Sequence, residues 1–366
     1  MALLLNEIEW GESLLPAVSD PAWEAEIKRR GSHVFEADRR IAPNPWVREA
    51  CLALVTYRVS EMPEHLFNMG AMITAQENSC RYCYGANRAV LKIQGYSETF
   101  IGNVERDLRI ADLDDKEHAF IAFCRNLARS RPRPSRAERE ALIRLGYSSP
   151  AVSEIAFLIA MGCFQNRITT LIACPPEHGF ERMANGPLGR LIGLAAPVAR
   201  MLARRRRQQA GLVFLPDAAA LSAGAFGPIV ATLAGLPGAA IIRTALDGAF
   251  SSAVLSRPVK ALMFAIIART LGCRRTEAEA RKLLATDGMD DADIDKALTT
   301  LQSAGLAPRE SALLSWARET VNYQTPVIQK QTRALSAEIG DDAAVLEAIG
   351  VAGLANCTVR LAMLLE

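Results

Sequence analysis

The chain has 366 residues, a net charge of +2, and is half apolar with 6 % aromatic residues. That apolar share fills real cores, and the length allows two domains or one large one. Near-neutral charge and the lack of interleaved basic and aromatic residues argue against a nucleic-acid binder.

Residues 1–12, MALLLNEIEWGE, start apolar but lack a basic segment and turn acidic at once, so no secretory signal is expected. A cytoplasmic, reducing setting is the resulting expectation, and there two close cysteines point to redox or metal chemistry. WVREACLALVTY at 46–57 has the period of an amphipathic helix. Cys51, Cys124, Cys163 and Cys357 fall inside apolar helical patterns and read as core residues.

The stretch QENSCRYCYGANRAV, residues 76–90, carries the chemistry. Ser79 or Asn78 reads as the N-cap of a helix with Cys80 in its first turn and Cys83 one turn on. The helix N-terminus favours a thiolate, and Arg81 adds positive charge. Positions three apart share a face, within reach of a disulfide. Redox, metal and structural roles all remain open at this point. A zinc site would want two more ligands, yet no second pair or His-x-x-x-His follows. There is no glycine-rich phosphate loop, so no bound cofactor (neither nucleotide nor flavin) is expected.

Further along, Gly95 sits where a glycine follows a helix end. In DDKEHAFIAFCRNLARS, Phe120, Phe123, Cys124 and Leu127 share one helix face. Residues 175–225 differ in character, with PPEHGF, NGPLGR and APVARMLARRRRQQAG, and read as a linker. The arginines up to Arg204–Arg207 come without an acid, a pattern of a solvated linker helix or of an anchor on anionic lipid. The linker helix is the preferred reading, with no membrane association. Residues 218–242 are uncharged but broken by Pro228 and Pro237, and read as soluble.

The second half then repeats the first at a shift of 193. Cys80/Cys273, Arg81/Arg274, Arg88/Arg281, Leu91/Leu284, Gly95/Gly288, Ile101/Ile294, Glu117/Glu310 and Arg125/Arg318 all coincide without a gap. Val152/Val345, Glu154/Glu347 and Arg167/Arg360 fall on the same shift. No two-residue alternation is sustained anywhere, so no sheet is expected. The fold expected is all-α: a unit over 1–174, the linker over 175–225, and a degenerate second unit over 226–366, packed as an internal pseudo-dimer. Copy two keeps Cys273 but has Thr276, Ala280 and Thr270 where copy one has Cys83, Asn87 and Glu77.

A helical unit opening a helix with Asn78-x-Cys80-x-Tyr82-Cys83, followed by LDDKEHAFIAFCRNLAR and SSPAVSEIAFLIAMGCFQNRIT, resembles the carboxymuconolactone decarboxylase/alkylhydroperoxidase D (AhpD-like) superfamily. The resemblance covers about 40–172, and 234–366 mainly through the repeat. It implies that the two cysteines reduce a hydroperoxide and end as a disulfide, the more buried second one, Cys83, attacking. Two relay residues depart from the family pattern: its histidine is Asn87 here and its glutamate falls on Asn68, and amides take no proton. Glu77 and Glu64 are the acids left nearby, with His65 beside Glu64.

Two readings follow. One is a thiol peroxidase or disulfide oxidoreductase using Cys80, Cys83, Glu77 and Asn87, with Glu64, His65, Arg81 and Tyr82 in support. It would take a small peroxide and a thiol reductant, either a protein or a small dithiol. The other is a non-redox lyase or isomerase acting on a small organic acid, or a binding protein that has lost catalysis. Homo-oligomerisation is expected in either case, and no metal.

Overall fold

The computed structural model describes residues 2–107, 110–185, 218–303 and 305–366, and every regular element among them is helical. The first unit contains α1 (Pro21–Arg29), α2 (Glu36–Ile41), α3 (Pro45–Val55), α4 (Glu64–Glu77), α5 (Arg81–Ile93), α6 (Glu98–Arg106), α7 (Asp115–Arg129), α8 (Arg136–Arg144), α9 (Ser149–Leu171) and α10 (His178–Asn185). After it come the short α11 (Ala218–Ser222) and α12 (Gly227–Val230), then α13 (Pro237–Ser251), α14 (Arg257–Thr270) and α15 (Arg274–Thr286). The chain ends in α16 (Asp291–Thr300), α17 (Pro308–Glu319), α18 (Thr325–Ile339) and α19 (Asp342–Met363).

Element bounds recur at the shift seen in the sequence. Helix α4 maps onto α14 and α5 onto α15 at both ends, while α6, α7 and α9 share their first residues with α16, α17 and α19. Local chemistry sets these boundaries. Asp114 accepts from the Glu117 amide and Glu117 from the Asp114 amide, a reciprocal cap that starts α7. Ser148 caps α9 and Asp341 caps α19.

Helices α9 and α19 pack against each other in the middle of the molecule, and both are buried along most of their length. Helix α19 is long and apolar enough to cross a membrane, but all of its apolar window is buried inside the protein. Residues from both halves of the sequence contribute to one large apolar core.

The contacts across α9 and α19 are reciprocal. Arg167 donates to the carbonyls of Thr320 (3.0 Å) and Val321 (2.9 Å), just past the end of α17. Arg360 donates to the carbonyl of Ala128 (3.2 Å), at the end of α7. Arg167 and Arg360 are equivalent positions, and so are Ala128 and Val321. Each guanidinium thus satisfies carbonyls left over at the negative end of the other unit's helix. Burial, followed by the nearby Arg167, brings the Arg360 guanidinium down to about 10.

One sequence reading is adjusted here. Residues 178–185, assigned to the linker, form α10, which packs on α5. Glu177 just before it accepts from Tyr82 Oη at 3.0 Å and from the Glu36 amide at 2.7 Å, which ties this stretch to the first unit. Arg204–Arg207 lie outside the described residues.

Candidate active site

The turn between α4 and α5 places the cysteine pair. Asn78 closes α4, Ser79 takes a left-handed backbone with φ 47°, and Cys80 is extended. A side chain at that φ is strained by about 1 kcal/mol. The equivalent position in copy two is Gly272, where φ is 70° and the strain disappears. In copy one, residues of the second unit hold the strained turn from outside. Tyr323 Oη donates to the Asn78 carbonyl at 3.0 Å and Thr325 Oγ1 to the Ser79 carbonyl at 2.9 Å.

The cap of α5 is Cys80 itself, not Ser79 or Asn78 as expected: its Sγ accepts from the Cys83 amide at 3.4 Å. Asn78 turns away, donating to the Thr74 carbonyl at 2.9 Å and accepting from Arg167 at 3.2 Å. Because Cys80 folds back over its helix end, the burial order also differs from the one the resemblance implied. Cys80 is 0 % exposed and Cys83 6 % exposed. Cys83 faces a cavity of about 260 Å³, and Cys80 lies behind it.

This cavity lies between α3, α4, α5, α7 and α9, with Phe35, Leu54, Met62, Phe67, Phe120 and Ile159 among its apolar walls. Its polar groups are Asn68, Thr74, Tyr82, Asn87, Gln165 and Asn166, with no carboxylate or histidine among the described residues. Asn68 and Asn87 are therefore both in the cavity wall. Asn87 Nδ2 donates to the Cys83 carbonyl at 2.8 Å.

The Thr169 hydroxyl lies 3.1 Å from Cys80 Sγ and 3.4 Å from Cys83 Sγ. Burial pushes the Cys80 thiol up, but hydrogen bonds from Cys83, Thr169, the Cys83 amide and Thr170 outweigh it and bring it down to about 7. The Cys83 thiol goes the opposite way, held well above its ordinary value by the hydrogen bond to Cys80 and then by burial. The pair therefore favours a state with one proton, thiolate at Cys80 and thiol at Cys83.

The other sequence candidates are scattered. Glu77 pairs with Arg125 at 2.6 Å and Arg129 at 2.7 Å, so its carboxylate is committed to arginines rather than to the thiols. Arg81 donates to the Leu5 carbonyl at 2.8 Å, which directs its charge toward the N-terminal segment. His65 is half-exposed beside Glu117, at 3.3 Å. Glu64 opens α4, and its side chain lies outside the described residues. Tyr82 lines the cavity and donates to Glu177, with burial foremost in holding its hydroxyl well above the ordinary value.

Sequence reading did not single out Thr169, Thr170, Gln165 or Tyr323. A signal for the first three was present: polar residues at 165, 166, 169 and 170 in an otherwise apolar helix sit one turn apart and mark a polar face.

In copy two the corresponding space is filled. Phe264 replaces Ala71 and stacks on Phe226 with ring centroids 4.5 Å apart, while Phe250 replaces Tyr57 and packs against both. Lys260 replaces the cavity residue Phe67 and is buried, paired with Glu347 at 2.9 Å. Cys273 is buried against Thr276 at 3.3 Å. Cys273→Ser is accordingly expected to leave thiol chemistry at Cys80 and Cys83 intact, checked by peroxide-dependent loss of free thiols. The stability cost should be about 1 kcal/mol, read from thermal unfolding.

No family model, curated protein or solved structure matches this chain.

Proposed function

We propose that the chain is a thiol-dependent peroxidase or disulfide oxidoreductase acting through Cys80 and Cys83, an AhpD-like protein working in a reducing cytosol. The observation that carries this reading is the pairing of Cys83, open to an apolar cavity, with Cys80 directly behind it, both sulfurs within reach of the Thr169 hydroxyl. A lyase or isomerase acting on an organic acid would want a general base and a cationic anchor, and neither is found among the described residues of the cavity wall.

The cycle runs as follows. The Cys83 proton passes to Cys80, and the freed Cys83 thiolate attacks the distal oxygen of a hydroperoxide. The O–O bond breaks, a sulfenic acid forms on Cys83, and the departing alkoxide takes the proton now held by Cys80 to become an alcohol. Cys80, deprotonated again, attacks the Cys83 sulfur and expels hydroxide, which leaves as water and closes the disulfide. The balance is two thiols and one hydroperoxide giving one disulfide, one alcohol and one water. A thiol reductant, either a protein or a small dithiol, returns the disulfide to two thiols.

The second unit is read as the internal equivalent of a second subunit, giving a pseudo-dimer within one chain. Support comes from the recurring helix bounds and from the reciprocal contacts of Arg167 and Arg360.

One equivalent of a small organic hydroperoxide should remove two free thiols per chain together, counted with a thiol reagent under denaturing conditions. Loss of no thiol would retire the redox reading and leave a binding protein as the remaining one.

A further inference from the structure

We propose that the Thr169 hydroxyl is itself a catalytic residue: bonded to both sulfurs, it stabilises the deprotonated pair and carries the proton from Cys83 to Cys80. The inference rests on the two-thiol reading above and adds the atom through which the proton moves.

Beyond direct contact between the two thiols, the described residues of the cavity wall leave few carriers. Asn68 and Asn87 are amides, and Asn87 is tied to the Cys83 carbonyl. The carboxylate of Glu77 is occupied by two arginines. Thr169 alone among the hydroxyls touches both sulfurs, at 3.1 Å and 3.4 Å, and it is 1 % exposed. A hydroxyl donates and accepts at once, so it can take one proton while giving up another. In the transfer the Cys83 S–H bond breaks and a new O–H bond forms on Thr169. The original Thr169 O–H bond breaks and an S–H bond forms on Cys80. No charge is created outside the pair, which matters in a water-poor site.

Helix α9 fixes the hydroxyl in place. Thr169 lies in its last turns and can also donate to the Gln165 carbonyl at 3.0 Å. A threonine in a helix has two χ1 rotamers because its oxygen can bond back one turn, and here that rotamer is also the one that faces the cysteines.

The test replaces Thr169 with valine, which keeps the shape and removes the hydroxyl, and with serine, which keeps the hydroxyl. Thiolate absorbance in the ultraviolet is followed against pH without peroxide, together with the rate at which a small neutral alkylating agent modifies Cys83. Thr169→Val should raise the pH of the first thiol ionisation by about one unit and slow alkylation at pH 7 by about fivefold, with Thr169→Ser close to the parent. Circular dichroism and melting curves identify a variant that fails to fold, and the serine variant then carries the comparison. A valine variant that titrates and alkylates like the parent overturns the proposal. So does a serine variant shifted as far as valine, because then the loss is one of packing. These readouts need no turnover, so a protein that titrates as expected yet consumes no peroxide would support the proton path while overturning the peroxidase reading.

Discussion

Replacing Cys83 with serine is expected to reduce hydroperoxide consumption by at least about a thousandfold, because an alcohol in its place is a far poorer nucleophile. Cys80→Ser should also stop turnover, but at a different stage. Cys83 would still reach the sulfenic acid, which a dimedone-type reagent should trap in the Cys80→Ser protein and not in the parent. The pH dependence follows from the thiol pair. Cys80 is lowered from its ordinary value to about 7, so the reactive one-proton state forms as pH rises through that value. The rate should therefore fall about tenfold per unit below pH 7 and level off above it. Full activity of Cys83→Ser, or a rate unchanged between pH 5 and 8, would remove the pair from the chemistry.

The largest stability loss is expected at Glu154. Its carboxylate is fully buried and accepts from Tyr57 Oη, the Ser60 amide, the Glu61 amide and the Met62 amide, all at 2.7 Å, and from Ser60 Oγ at 2.9 Å. This one side chain holds the loop between α3 and α4 by partnering three backbone donors, the Met62 amide buried and the Ser60 and Glu61 amides partly so. Glu154→Ala strands them and should cost about 4 kcal/mol, an upper-range value for a single substitution. For a chain of this length that corresponds to a midpoint lowered by roughly 5 °C, read by circular dichroism on heating. Met62 of this loop lines the cavity, so the variant should also lose affinity for apolar substrates. An unchanged midpoint would mean that the loop satisfies its amides elsewhere.

How much of this was legible in the sequence depends on range. The helices, their capped starts and the shift of 193 are carried by local patterns, and the helix bounds follow them closely. The cysteine pair at the start of α5 was readable for the same reason. The identity of the cap was not, because cysteine is a rare cap and the usual preference for serine or asparagine points to the wrong residue. Glu77 looked available only because its partners are distant in sequence: Arg125 and Arg129 reach it from α7. The cavity was hidden too, since it depends on Ala71 being small where its counterpart Phe264 is large, and only packing tells those two positions apart. Tyr323 and Thr325 were unreadable as support for the site because they act across the two units.

That last arrangement bears on how the protein behaves at low abundance. The turn carrying Cys80 is held by Tyr323 and Thr325 from the other half of the same polypeptide. If those groups came from a separate chain, dilution below its dissociation constant would release the strained Ser79 turn and disperse the thiols. Tethered in one polypeptide, they face the turn at an effective concentration on the order of millimolar, whatever the number of copies in the cell. Covalent joining also removes the symmetry constraint: in a pair of identical chains each substitution occurs twice, whereas here Gly272, Phe264 and Thr276 could accumulate in one half alone. On the proposed reading, one half was free to become a support while the other carried the thiols.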